Sequence, residues 1–311
     1  VVKPSTLVVL AVLFLLVLTG CGPKGETNAT PERPTILATT GMIGDLAKII
    51  AASDADVIVM MGPGVDPHLY RPTPQDTTNI NKANAIFYNG LHLEGRMTEI
   101  LEKLEENDQK PVVAVTETLP KALLISLPGG GKEVDPHVWF DVNLWRQAAL
   151  VINDTLTRLV PAKEANFEER TTKLLKELDE LDVWVKEQIL LVPKERRVLI
   201  TAHDAFGYFG KRYGVEVMGI QGTSTAAEAS AKTIQTLAET ISTRKIPAIF
   251  VESSVPKATI EALQQAVGAR GWKVTIGGQL YSDALGDQGT PAGTYQGMIR
   301  ANVNTLVKAL K

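Results

Sequence analysis

Histidine is scarce in this chain, with four in 311 residues, at His68, His92, His137 and His203. Two of them close the same tripeptide, Asp66-Pro67-His68 and Asp135-Pro136-His137. A neutral imidazole is a common transition-metal ligand. The proline stiffens the turn ahead of it. Each aspartate could take the ring N–H that a metal does not use, fixing the tautomer, or could simply cap the turn as Asx-Pro does. Both readings stay open for Asp66 and Asp135. His203, in Thr201-Ala202-His203-Asp204, follows a Val/Ile-rich run, and Asp204 is placed to cap the next helix. His92, between Leu91 and Leu93 near a helix start, reads as a structural histidine. Three imidazoles need a fourth ligand to close a tetrahedron, and a carboxylate would leave a bound divalent ion with one net positive charge. Glu252, ending Ile249-Phe250-Val251-Glu252, and Asp283, in Tyr281-Ser282-Asp283, both qualify, and spacing does not choose between them. With water as fourth ligand the same histidines would make a zinc-dependent hydrolase, but no His-Glu-x-x-His motif occurs.

The elements that must carry these residues are those of an α/β fold. Short Val/Ile-rich runs bounded by turn residues and separated by helix-length segments predict parallel sheets flanked by helices. The predicted strands are Thr35–Thr39, Asp56–Met61, Ala85–Asn89 and Val112–Val115, then Arg197–Thr201, Val215–Ile220, Ala248–Glu252 and Lys273–Ile276. Between the two sets, Ala162–Leu191 predicts a long helix, with Phe167, Leu174, Leu178, Leu181 and Val185 on one stripe. It reads either as a surface helix or as a spine joining two lobes. The length and the 44% hydrophobic content favour two lobes. Ligands of parallel α/β sheets bind beyond the carboxyl ends of the strands, and three of the histidines stand directly after a strand or in a turn beside acidic residues. Gly41-Met42-Ile43-Gly44 lacks the spacing of a dinucleotide-binding turn.

Charge and the N-terminus set the setting. Lys and Arg total 32 against 35 for Asp and Glu, which leaves no basic excess for nucleic acid. Residues 1–20 hold one charge, Lys3, and an apolar run from Leu7 to Leu18, too short to span a bilayer comfortably and followed by small residues, as in a signal peptide. Val1 is expected to stand for an initiator Met encoded by GTG. Cys21 is the single cysteine, so an intramolecular disulfide is excluded. Leu18-Thr19-Gly20-Cys21 resembles a bacterial lipobox, implying cleavage before Cys21 and lipid on its sulfur and amino terminus. Residues 21–33 then form a flexible linker.

Taken in order, Gly62–Tyr70, Asn89–Glu94, Asp135–Asp141, Thr201–Phe209 and Tyr281–Gly286 resemble the motifs of the cluster A-I metal-binding lipoproteins of TroA type. These are the solute-binding proteins of ABC importers for zinc and manganese. The resemblance covers nearly all of the chain after the linker. It implies two pseudo-symmetric lobes, 34–160 and 194–311, joined by one long backbone helix within 161–193. By motif position it implies the ligands His68, His137, His203 and Asp283, with Glu252 behind them. It further implies a monomer anchored by lipid outside the cytoplasm, an ABC permease with its ATPase as partner, and Zn2+ or Mn2+ as the transported ligand rather than a catalytic cofactor. Zinc members of the family commonly carry a His-rich loop, whereas Leu124–Val134 holds no histidine. Manganese members often place Glu where this chain has His203, and oxygen ligands suit manganese better. A surface adhesin is the remaining alternative, and no repeats support it.

Overall fold

The computed structural model describes residues 33–107, 109–127, 131 and 133–311. The expected signal peptide, Cys21, nearly all of the linker, and Pro128–Gly130 of the histidine-free loop lie outside the described residues.

Four short strands open the chain: β1 (Thr35–Ala38), β2 (Asp56–Val59), β3 (Ala85–Tyr88) and β4 (Val112–Ala114). They pair in parallel in the order β2-β1-β3-β4. Helices α1 (Gly41–Ala51), α2 (Pro74–Lys82) and α3 (Thr98–Glu106) connect them, and α4 (Val142–Leu159) follows. The second half repeats the plan with β5 (Val198–His203), β6 (Glu216–Gln221), β7 (Ala248–Glu252) and β8 (Thr275–Leu280), joined by α6 (Gly207–Tyr213), α7 (Ala231–Arg244) and α8 (Ala258–Gly268). Parallel ladders join β5 to β6 and β7 to β8, and β5 lies beside β7. The spatial order β6-β5-β7-β8 therefore matches that of the first sheet, each strand advanced by four. All eight predicted strands are present.

Two of them run further than their composition suggests. β5 continues to His203, which pairs with Gln221, so this histidine is part of the strand rather than of the turn after it. β8 continues through Gly277 and Gly278, residues that normally read as a strand end. A Cβ on Gly277 would stand 2.7 Å from both Ala309 Cβ and Phe250 Cε1, so the strand keeps its place because there is no side chain.

The long helix α5 (Glu164–Leu190) is entered through a 3-10 turn at Pro161–Lys163 and stops ahead of Pro193. At 1.5 Å per residue it is about 40 Å long. Phe167, Thr171, Leu174, Leu178, Leu181, Val185 and Ile189 are buried on one stripe, as the spacing predicts. That stripe enters a single apolar cluster that also takes Ile36, Leu46 and Trp145 from the first half and Phe206, Phe250 and the C-terminal helix α9 (Tyr295–Leu310) from the second. Phe140 and Phe206 meet across the halves with ring centroids 4.3 Å apart. Each such fully buried side chain contributes about 1.5–3 kcal/mol. Asp182 fastens α6 to α5, accepting from Arg212 at 3.0 and 2.7 Å and from the Tyr213 hydroxyl at 3.0 Å.

Candidate metal centre

Each of the four converging side chains is placed by a different local device. His68 follows β2 in the turn Gly62–Tyr70, where Asp66 Oδ1 accepts the His68 backbone N–H at 2.9 Å. The other oxygen of Asp66 takes the Thr225 hydroxyl at 2.6 Å, across to the loop after β6. Asp66 thus caps the turn and does not reach the His68 ring. Asp135 does both things left open for it. Its Oδ1 accepts the His137 backbone N–H at 2.9 Å and lies 2.7 Å from His137 Nδ1, which turns Nε2 toward the centre. The Asp135 carbonyl is held in turn by the Tyr208 hydroxyl at 2.9 Å.

His203 sits on β5, and Glu252 on β7 beside it accepts the His203 backbone N–H through Oε1 at 2.9 Å. Glu252 Oε2 stands 2.6 Å from His203 Nδ1, so this carboxylate lies behind the ring, away from the centre. Asp283 follows β8. Its approach is fixed by Asn302, which bonds the Tyr281 backbone N–H and C=O at 2.9 and 2.7 Å, and by Trp139 Nε1, which donates to the Ser282 carbonyl at 3.1 Å.

The ring nitrogens and the carboxylate come together. His68 Nε2 and His137 Nε2 are 3.3 Å apart. Asp283 Oδ1 is 3.4 Å from His137 Nε2, and Oδ2 is 3.1 Å from His203 Nε2 and 3.8 Å from His68 Nε2. The four residues form one ligand-type group among the described residues. A tetrahedron of 2.0–2.1 Å zinc bonds has edges of roughly 3.3 Å, so the spacing fits one ion at the centre. His203 Nε2 and both Asp283 oxygens are buried without a hydrogen-bond partner. Buried polar atoms left unpaired are rare and call for an explanation, and a shared cation supplies one.

The charge pattern agrees. Burial lowers the His68 ring to about 3, the nearby His137 and His203 rings acting the same way and Asp283 against them. Burial also works to lower His137, but Asp135 and Asp283 outweigh it and raise the ring to about 9. His203 is raised well above the usual imidazole range because Asp283 and Glu252 overcome its burial. Burial works to raise Asp283, yet His203 and His137 hold its carboxyl well below the usual range. Protons on the rings and a cation at the centre are thus alternatives that satisfy one buried carboxylate.

His68 is 5% exposed while His137 and His203 are fully buried. A cleft of about 260 Å³ reaches it between Leu91, His92, Glu133, Val134 and Thr223. His92 stays out of the centre, as expected, but it is an exposed residue at φ +61° rather than a packed structural histidine. Asp204 does not cap α6, whose N-cap is Phe206 without a side-chain bond; the helix starts too far along the chain. Thr225, Tyr208 and Asn302 support the centre with no signal in the sequence, since each acts across a tertiary contact. Among the described residues no helix is long and apolar enough to cross a membrane.

Residues 36–309 match the family model described as zinc-uptake complex component A, periplasmic. The chain is 49% identical over 301 residues to the zinc-binding protein TroA of Treponema pallidum, covering 96% of each. It is 43% identical over 302 residues to the manganese-binding lipoprotein MntA of Bacillus subtilis, covering 97% of this chain and 98% of the relative. It is 31% identical over 311 residues to the manganese ABC transporter substrate-binding lipoprotein PsaA of Streptococcus mitis, covering 97% of each. The solved structure of the Treponema protein superposes with a TM-score of 0.87 at 50% identity, over 89% of this chain and 99% of that one.

Proposed function

The chain belongs to the zinc-uptake complex component A family, and on that premise we propose that it captures a divalent transition metal outside the cytoplasm and hands it to an ABC importer. The ion is cargo, zinc or manganese, and the partner is the permease with its ATPase. His68, His137, His203 and Asp283 are the ligands. The observation that carries this reading is the convergence of three Nε2 atoms and one carboxylate on a buried point where the oxygens of Asp283 have no other partner. Asp135 and Glu252 orient the rings they face, and Asp66 holds the His68 turn.

The ligands divide between two lobes, 34–160 and 194–311, joined by the helix within 161–193. A bound ion therefore ties the lobes together and presents the permease with a closed surface. The reaction is capture and release. With Asp283 as fourth ligand no position is left for the activated water a zinc hydrolase needs, and the relatives carry the names of binding proteins. Nitrogen-rich ligation favours zinc in affinity, while availability at the cell surface can make manganese the ion carried. The protein works as a monomer tethered through lipid on Cys21, a reading supported by the Leu18–Cys21 motif.

Chelator-competition titration of His203→Ala and Asp283→Ala tests the ligand set. Both should lose at least about a hundredfold in zinc affinity, ~2.7 kcal/mol; a wild-type constant in His203→Ala would overturn it. Competition between zinc and manganese in uptake by cells carrying the protein decides the cargo.

A further inference from the structure

Among the described residues, one buried carboxylate takes no part in the centre and has no cation beside it. Glu94 is fully buried. Its Oε1 accepts the Asn89 backbone N–H at 2.6 Å and the Thr39 hydroxyl at 2.8 Å, and its Oε2 accepts the Gly90 N–H at 3.3 Å. All three donors belong to Thr39, just after β1, or to the loop Asn89–Gly95 that Glu94 itself closes.

That loop runs through an unfavourable course. Gly90, Leu91, His92 and Gly95 have φ of +82°, +53°, +61° and +44°. Two consecutive non-glycine residues in the left-handed region persist only where the surroundings over-determine them, and the Glu94 carboxylate is what pins this backbone from inside.

The loop touches both Asp-Pro-His turns. Gly95 is seated on the turn of His68, where a Cβ would fall 2.3 Å from the His68 carbonyl oxygen. Asn89 Nδ2 donates to the Pro136 carbonyl at 3.1 Å, one residue before His137, and to the Gly90 carbonyl at 3.0 Å. The Asn89 carbonyl is in turn held by the Thr116 hydroxyl at 2.6 Å. One wedge therefore backs the two turns whose Nε2 atoms stand 3.3 Å apart.

We propose that Glu94 is a positioning residue for the metal centre: by pinning the Asn89–Gly95 loop it sets the separation of His68 and His137, and thereby how sharply the site prefers zinc over manganese. The inference rests on the metal-binding reading of that centre. A tight His68–His137 spacing suits zinc, with short bonds in a tetrahedron, and penalises an ion that favours oxygen ligands in higher coordination. A carboxylate is needed because it only accepts, and a glutamine would turn an NH2 group on one of the donors.

The test uses the full chain with Glu94→Gln and Thr39→Val, reading zinc and manganese affinity by chelator competition, the visible spectrum of the cobalt-loaded protein, and the melting temperature without metal. Glu94→Gln should weaken zinc by about tenfold or more, lower the zinc-to-manganese affinity ratio and alter the cobalt absorption. Thr39→Val, which removes one donor, should shift the same readouts in the same direction by less, and it carries the test if Glu94→Gln does not fold. A variant that melts lower yet keeps both affinities and the cobalt spectrum overturns the proposal and leaves Glu94 a purely structural residue. Wild-type zinc binding by His203→Ala would instead fault the reading of the centre itself.

Discussion

The same tripeptide occurs twice in this molecule and ends in two different states. In both Asp66-Pro67-His68 and Asp135-Pro136-His137 the aspartate accepts the histidine backbone N–H at 2.9 Å, so the turn itself is local chemistry. The rings part company. Asp135 lies 2.7 Å from its own ring, which is wholly buried, whereas Asp66 gives its second oxygen to Thr225 and leaves the His68 ring at the foot of a cleft. A repeated motif therefore encodes the backbone, and its tertiary neighbours decide what the ring does. The His137 ring is fixed and the His68 ring accessible.

Removing each ring is the strongest way to break that comparison. His137→Ala should weaken zinc by about a thousandfold, ~4 kcal/mol, because it takes away an oriented ring and strands Asp135. His68→Ala should cost about a hundredfold, since water from the cleft can replace the ring. Equal losses in chelator competition would erase the distinction. The aspartates give a smaller contrast: Asp135→Asn should lower zinc affinity by about 10- to 100-fold, the usual effect of an orienting partner. Asp66→Asn, touching only backbone and Thr225, should cost about threefold or less, within the range of one neutral hydrogen bond. If Asp66→Asn equals Asp135→Asn, Asp66 also governs its ring.

The last contrast is in pH, and there the two rings oppose each other. His68 falls from 6.5 to about 3 on folding, so the unfolded chain binds the extra proton and stability is lost as pH drops below 6.5. His137 rises from 6.5 to about 9, so its contribution is complete below 6.5 and is lost as pH rises through 9. Denaturant titrations of metal-free protein should show both slopes, and His68→Gln should flatten the acid one just below pH 6.5, leaving the part set by the lowered carboxylates of Asp54, Asp76 and Asp182. An unchanged acid slope in that variant would contradict the assignment.

Much of this was legible in the chain. The strands were visible because β-branched runs such as Asp56–Val59 and Ala248–Glu252 are bounded by turn residues, and α5 because its apolar stripe keeps helical spacing over 27 residues. The histidines stood out through scarcity and repetition. Asp283 and Glu252 could not be told apart by spacing, since one ends a strand and the other follows one; motif position favoured Asp283, and the geometry turns Glu252 toward the back of His203. What stayed hidden depends on contacts distant in sequence. Thr225 reaches Asp66 across 159 residues, and nothing in Asp204 reveals that the helix after it begins at Gly207. Gly277 and Gly278 read as a break because the packing of Phe250 and Ala309 that keeps them in β8 is invisible in the chain.

The core that α5 shares with both halves has a further consequence. Phe167, Leu178 and Val185 share one apolar cluster with residues drawn from positions as far apart as Ile36 and Leu310. Cut before or after the helix, each fragment would expose an apolar face to water. The two halves look like copies of one plan, yet neither could be traded between proteins as an interchangeable module. Arg33–Lys311 is accordingly one compact unit, both halves with their helix.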